Sequence, residues 1–341
     1  MDDLTGQIRE SLIDRILSGE YRPGDRLMSE REFAERHEIS RITVRRAFAQ
    51  LESAGIIVRK RPHGTYVANT FRAHRGELRS IGVITTLPHE FSGAFVEEVS
   101  RCCEKEDILL ALGIPEPDTA DAQLKIAVRM ASRGVKNLII WGAEKGGSIP
   151  MLERLRILGV NLVFFDQVIP GNFADYVGLD NFHAVETLFD EAVKRGAKRL
   201  FFIGFSGTAI DSNREREEAF RKKLRQSGLP GGVRELPVDA DADTCRKFAG
   251  RILEEAGENG AVIGINAPVM QDLFRVPPRG TALYCVDHPR RLEELHVTGY
   301  AQPIAAMAHC AVQMLRDQCR KGEAWRPVRR RFTGELTAAG E

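Results

Sequence analysis

The sequence predicts an α/β protein in two parts: a small N-terminal unit of three helices and a β-hairpin, and a larger C-terminal region of parallel sheets with helices on both faces, folded as two lobes. Three observations carry this. Residues 5–53 hold three helical patterns separated by turn chemistry. Residues 56–68 hold two strand patterns around R-P-H-G. From residue 80 onward, short apolar runs alternate with helix-length segments.

Length and composition set the frame. With 341 residues, 43% apolar and 28% charged, the chain is long enough for two or three globular domains. A cationic leader and an apolar run of membrane-spanning length are both missing, so a cytoplasmic protein without a membrane partner is expected. The six cysteines are scattered and match no zinc spacing; free thiols are expected, and no metal or cofactor. The net charge is only +1, yet residues 41–75 hold eight Lys/Arg against Glu52 alone, a local +7. Such a block reads as a basic tail or a nucleic-acid surface. Its helical and hairpin periodicity argues against the tail.

In the first helix, over 5–18, Thr5 can cap and Ile8, Leu12, Ile13, Ile16 and Leu17 form the apolar stripe. R-P-G-D at 22–25 is a turn, and S-E-R-E at 29–32 is a capping box that opens a second helix with Phe33 and Ala34 facing inward. Ser40 caps a third helix that runs to about Ser53. Its Val44, Ala47, Phe48 and Leu51 share one side, while Ile42, Arg45 and Arg46 lie opposite with Arg41 and Thr43 flanking. A cationic face with one aliphatic contact suits the major groove, where arginine reads guanine and an aliphatic group meets a thymine methyl. Strands over 56–60 and 65–68 then make a basic wing, and helix–turn–helix plus wing is a winged helix that docks on double-stranded DNA. His63 reads equally as a DNA contact and as an exposed turn residue.

The stretches G-D-R-L-M-S-E-R-E-F-A, I-S-R-I-T-V-R-R-A-F-A-Q-L and G-I-I-V-R-K-R-P-H-G-T-Y-V resemble the GntR-family winged helix–turn–helix. The resemblance implies DNA contacts from Arg31 on the second helix, from Ser40, Arg41, Thr43 and Arg45 on the third, and from His63 and Gly64 at the wing tip. Ile42 stands where the family often has a polar residue, and Met28 where it usually has proline.

After a polar linker over 69–79, strands are expected at 80–85, 108–112, 137–141, 161–165, 176–179, 199–204, 261–265 and 282–286, with helices such as 181–195, 213–227 and 302–320. Trp141, Asp166, Asn266 and Asp287 fall at strand ends, where ligands of open α/β sheets bind. Each also reads as a cap or a turn. No P-loop, dinucleotide fingerprint or nucleophile elbow is found, and Asp166 lacks a paired acid, so binding is the better reading than catalysis.

I-G-V-I-T, V-G-L-D-N-F, R-G-A-K-R-L-F-F-I-G, N-R-E-R-E-E-A-F, C-V-D and A-Q-P-I-A-A-M-A resemble the LacI/GalR effector domain, which has the periplasmic-binding-protein fold. The resemblance implies that Asp166, Arg216, Asn266, Asp287 and Gln302 bond an effector's hydroxyls and that Trp141 lines its pocket. Ala267 and His288 replace two acidic residues of the family, which leaves a non-sugar effector open. The family's terminal arginine-serine signature is also absent.

The expected organisation is therefore a DNA-binding domain over 1–68, a linker over 69–79 and an effector-binding, dimerising domain over 80–341. This architecture resembles the arabinose repressors and implies a homodimeric, ligand-responsive regulator on a near-palindromic operator, with a sugar or sugar derivative as effector. The alternative is an enzyme acting on a small polar metabolite with an appended DNA-binding head.

Overall fold

The computed structural model describes residues 4–18, 20–68, 76–86, 90–142, 155–156, 158–167, 173–207, 210–274, 278, 280–287 and 296–337. Residues 69–75, most of the expected linker, lie outside them, as does His288.

Helices α1 (Leu4–Ser18), α2 (Glu30–Arg36) and α3 (Arg41–Ser53) precede the hairpin β1 (Ile57–Lys60) and β2 (Gly64–Val67). Helix α1 begins one residue before Thr5, which therefore does not cap it. Ile8, Leu12 and Ile16 of α1 are buried with Phe33, Ala34, Val44, Ala47, Phe48 and Leu51. The capping box is complete: the Ser29 hydroxyl accepts the Glu32 amide at 3.1 Å, and the Glu32 carboxylate accepts the Ser29 amide at 2.8 Å. At the start of α3 the Ser40 hydroxyl accepts the Thr43 amide at 3.2 Å. The wing is antiparallel, with Arg59 opposite Thr65 and Lys60 opposite Gly64. Gly64 has φ +116°, a backbone state that favours glycine.

The next elements are β3 (Ser80–Ile84), α4 (Glu90–Lys105), β4 (Leu109–Gly113), α5 (Ala120–Ser132), β5 (Asn137–Trp141), β6 (Asn161–Phe165) and β7 (Asp175–Leu179). They are followed by α6 (Asn181–Lys194), β8 (Arg199–Ser206), α7 (Asp211–Ser227), β9 (Gly231–Pro237), α8 (Ala242–Ala256), β10 (Gly260–Gly264), α9 (Ala267–Leu273) and β11 (Thr281–Val286). Strand β12 (Thr298–Ala301), α10 (Ile304–Lys321), β13 (Arg329–Phe332) and β14 (Glu335–Thr337) complete the order. Two six-stranded sheets result, β4-β3-β5-β6-β7-β13 and β9-β8-β10-β11-β12-β14. Strands β3 to β6, and β8 to β12, pair in parallel, and the inner ones among them, such as β5, β6 and β10, are apolar runs buried on both faces. Strand β14 departs from the expected parallel order by pairing antiparallel with β12.

The chain falls into two compact units, one of residues Met1–Tyr176 and Ala308–Arg329, the other of Val177–Met307 and Arg330–Glu341. It therefore passes between them three times. In the first unit a buried network fixes the returning segment. The Asp175 carboxylate accepts hydrogen bonds from the Gln318 amide (2.7 Å), the Trp325 indole (3.1 Å) and the Val328 backbone (2.7 Å). Burial raises the Asp175 pKa, and those three donors oppose the rise. Arg156, also buried, donates to Gln318 at 2.7 Å and lies 4.2 Å from the Trp325 ring. Burial lowers its pKa to about 10, with Asp175 opposing.

Candidate functional sites

On α3 the core side and the solvent side separate cleanly. Val44, Ala47, Phe48 and Leu51 are buried, whereas Arg41, Ile42, Arg45 and Arg46 are exposed and Thr43 is half-buried. Arg31 of α2 is exposed with Glu35 at 3.6 Å, and His63 is exposed at the wing tip. Ser40, expected as a DNA contact, is engaged in the helix cap and in a 2.7 Å hydroxyl–hydroxyl contact with Thr43.

Glu30 is the residue that sequence reasoning missed. One carboxylate oxygen lies 2.7 Å from Arg59 Nη2, the other 3.4 Å from Arg45 Nε, and Arg59 also reaches Glu52 at 3.3 Å. The cationic face of α3 is thus tied to the wing through an acid on α2. Beside this link, a cleft of about 330 Å³ is lined by Arg26, Arg31, Arg41, Arg59, Lys60 and Arg61, with Glu30 as its acid. Such a cleft attracts a phosphate backbone. The wing cations were legible only as part of the basic block, and Arg26, which lies outside that block, was not singled out.

In the first unit the strand registers set Thr85, Trp141 and Phe165 abreast at the carboxyl edge, since Ile84 pairs with Ile140 and Trp141 with Phe165. Phe91 of α4 stacks on Phe165 at 5.1 Å and meets Trp141 edge-on at 6.0 Å. Asp166 follows, buried, with φ +60°. Thr85 is buried, and its hydroxyl has no hydrogen-bond partner among the described residues. It too was missed, because a threonine ending a strand carries no distinctive pattern.

In the second unit four predicted residues converge. Arg216 is buried, donating from Nε to Asn181 Oδ1 and from Nη1 to the Ile265 carbonyl, both at 2.8 Å. The neighbouring Asn266 caps α9 by accepting the Val269 amide at 3.1 Å. The Asp287 carboxylate accepts the Ala267 amide at 3.3 Å and the Gln302 side-chain amide. Gln302 Oε1 is buried and has no partner among the described residues. Asn181, which orients Arg216, had not been foreseen. Trp141 and Asp166 belong to the other unit.

Residues 4–67 match the profile of the bacterial regulatory proteins of the gntR family. This segment is a GntR-type domain. Among curated relatives, the arabinose metabolism transcriptional repressor of Geobacillus stearothermophilus is 31% identical over 101 residues, 28% of this chain and 27% of the relative. The HTH-type transcriptional repressor NagR of Bacillus subtilis is 45% identical over 62 residues, 18% of this chain and 26% of the relative. The aligned stretches thus span about a quarter of these relatives' length. Among solved structures, the Cra transcriptional dual regulator of Pseudomonas putida, in complex with fructose 1-phosphate, superposes with a TM-score of 0.65 at 15% identity. It covers 78% of this chain and 100% of its own. Beyond the GntR-type domain the fold is that of periplasmic-binding-protein and LacI-type proteins.

Among the described residues no three His, Cys, Asp or Glu side chains are grouped to hold a metal ion, and no helix is long and apolar enough to cross a membrane. No disulfide joins the cysteines among the described residues, and burial pushes the Cys103 thiol up to about 11.

Proposed function

We propose that the chain is a ligand-responsive transcriptional repressor, cytoplasmic and homodimeric, rather than an enzyme. Its GntR-type head, residues 1–68, binds a near-palindromic operator through Arg31, Ser40, Arg41, Ile42, Thr43, Arg45, Arg46, His63 and Gly64. The observation that carries this reading is the exposed cationic face of α3, standing opposite a complete core and beside the basic cleft of the wing. A linker over 69–79 joins the head to residues 80–341, where Trp141, Asp166, Arg216, Asn266, Asp287 and Gln302 bind a sugar-like effector. The fructose 1-phosphate complex of the Pseudomonas putida regulator supports an effector of that class. The ligand acts by favouring one of two states that differ in DNA affinity; one bound equally by both would change nothing.

The test is selection from a random duplex library at fixed salt, with and without residues 1–75. A two-fold-symmetric motif that vanishes with the deletion supports the reading; retention without any motif, in the presence or absence of candidate sugars, overturns it. For the effector, a ligand at a hundred times its Kd adds about 2.7 kcal/mol to stability. Asp287→Ala should keep operator affinity and lose the ligand response. A variant that still responds at normal ligand concentrations places the pocket elsewhere.

A further inference from the structure

Cations are unevenly spread over the larger part of the chain. Residues 76–341 hold 35 Lys/Arg against 37 Asp/Glu, a net −2, yet 320–329 hold Arg320, Lys321, Arg326 and Arg329 against Glu323 alone. All four cationic side chains are exposed. Such a run is ordinarily a solvated face, and charge on an outer strand such as β13 also discourages pairing with another edge. Strand β9 meets that need with a mixed pair, Arg234 and Glu235.

What sets this run apart is where the fold puts it. Strands β5, β6 and β7 begin with Asn137, Asn161 and Asp175. Near the end of α10, Cys319 Sγ lies 3.2 Å from Asn137 Oδ1 and 3.3 Å from Asn161 Nδ2. Trp325 and Val328 both donate to the Asp175 carboxylate. Arg320, Lys321, Arg326 and Arg329 therefore gather at the edge where these strands begin, the opposite edge from Thr85 and Trp141. Gly76, where the described chain resumes after residue 68, donates its amide to the Cys319 carbonyl at 3.4 Å. The chain from the head thus enters at this edge. Seven residues span at most about 25 Å, so the head, and a duplex held on it, stays close by. Burial, and after it the like charge of Arg9 on α1, lowers the pKa of Lys136, the residue before β5. Counter-charges are few: Lys321 has Asp317 at 3.4 Å, while Arg320 and Arg329 make no ion pair among the described residues.

We propose that this edge is a second DNA surface, with Arg320, Lys321, Arg326 and Arg329 neutralising backbone phosphates that flank the sequence read by α3. The inference rests on the DNA-binding reading above and extends it from the head to the first lobe. Phosphates accept arginine or lysine without regard to sequence, so such a surface adds affinity and salt dependence but no base preference. An acidic protein segment would offer the same charge. The tether from the head, however, brings a duplex to this edge and no such segment.

The experiment measures the affinity of the full chain for a duplex trimmed to its selected motif and for one extended by a helical turn on each side, over a series of salt concentrations. The longer duplex should bind more tightly, with the steeper slope of log affinity against log salt. Arg320→Gln/Arg329→Gln should lower that slope by about 1.8 per bound subunit, at about 0.9 per phosphate contact, and should remove most of the gain from lengthening. Arg320→Lys/Arg329→Lys should keep both, whereas a packing role for the guanidinium groups would lose them. A folded glutamine pair with the wild-type slope overturns the proposal, as does equal binding of the two duplexes. If the glutamine pair binds DNA like the wild type but no longer retains poly-glutamate, the edge serves an acidic protein and the DNA assignment falls. Lys321→Gln/Arg326→Gln carries the same test should the first pair fail to fold. The two readings fail separately. Salt-dependent retention of random duplex without any motif, weakened in the glutamine pair, keeps this edge and removes the operator reading. A selected motif with an unchanged slope does the reverse.

Discussion

Arg45 and Arg216 are both arginines on helices, and the molecule uses them in opposite ways. Arg45 leaves 66% of its side chain exposed, with Glu30 at 3.4 Å, on a helix whose core face is already complete. Arg216 is 5% exposed and spends its donors on Asn181 and a backbone carbonyl. In the winged head, groups that can meet a partner stand outside the fold and contribute little to it. In the second unit, the candidate binding groups belong to the hydrogen bonding that holds strand ends together. Binding and stability should therefore separate in the head and travel together in the lobes.

The sharpest way to break that contrast is Arg216→Ala. It leaves the Asn181 side-chain oxygen and the Ile265 carbonyl without their donors, and should cost about 3 kcal/mol in urea unfolding. A loss below 0.5 kcal/mol, the usual range for surface changes, would mean that Arg216 is not structural. Arg45→Ala should do the converse, weakening operator binding by about 1–3 kcal/mol while leaving the melting temperature nearly unchanged. Ser40→Ala tests an exception, since this predicted contact caps its helix; about 1 kcal/mol of stability should go with it. If operator affinity falls without that loss, the hydroxyl reads DNA instead. Thr85→Val is the smallest. Removing a buried hydroxyl that has no partner should leave stability equal or raise it by up to about 1 kcal/mol. Effector affinity should fall, and unchanged affinity in calorimetry would detach Thr85 from the pocket.

What the sequence made legible was what local chemistry decides. The cap at Ser40, the 3.6-residue apolar period and the clustered cations placed α3 from its cap to about Ser53, as it is found. Strands buried on both faces, such as N-L-I-I-W and N-L-V-F-F, announced themselves as apolar runs. Other strands did not: R-R-R-F of β13, at a sheet edge, reads as a charged surface, and β12 and β14 are too short to show a period. Pairings between distant residues were equally silent. Glu30 meets Arg45 and Arg59 across 15 and 29 positions, Arg216 meets Asn181 across 35, and Gln318 meets Asp175 across 143. Only a completed fold brings such partners within reach. The candidate residues at strand ends were found because topology, more than pairing, put them there.

The threefold passage of the chain between the two units bears on how such a protein can be assembled from parts. No single splice separates the two units. A chain ended after Tyr176 would forfeit Gln318, Trp325 and the Val328 amide, stranding the Asp175 carboxylate in the interior without its donors. The two units can thus be inherited, truncated or grafted only as a pair.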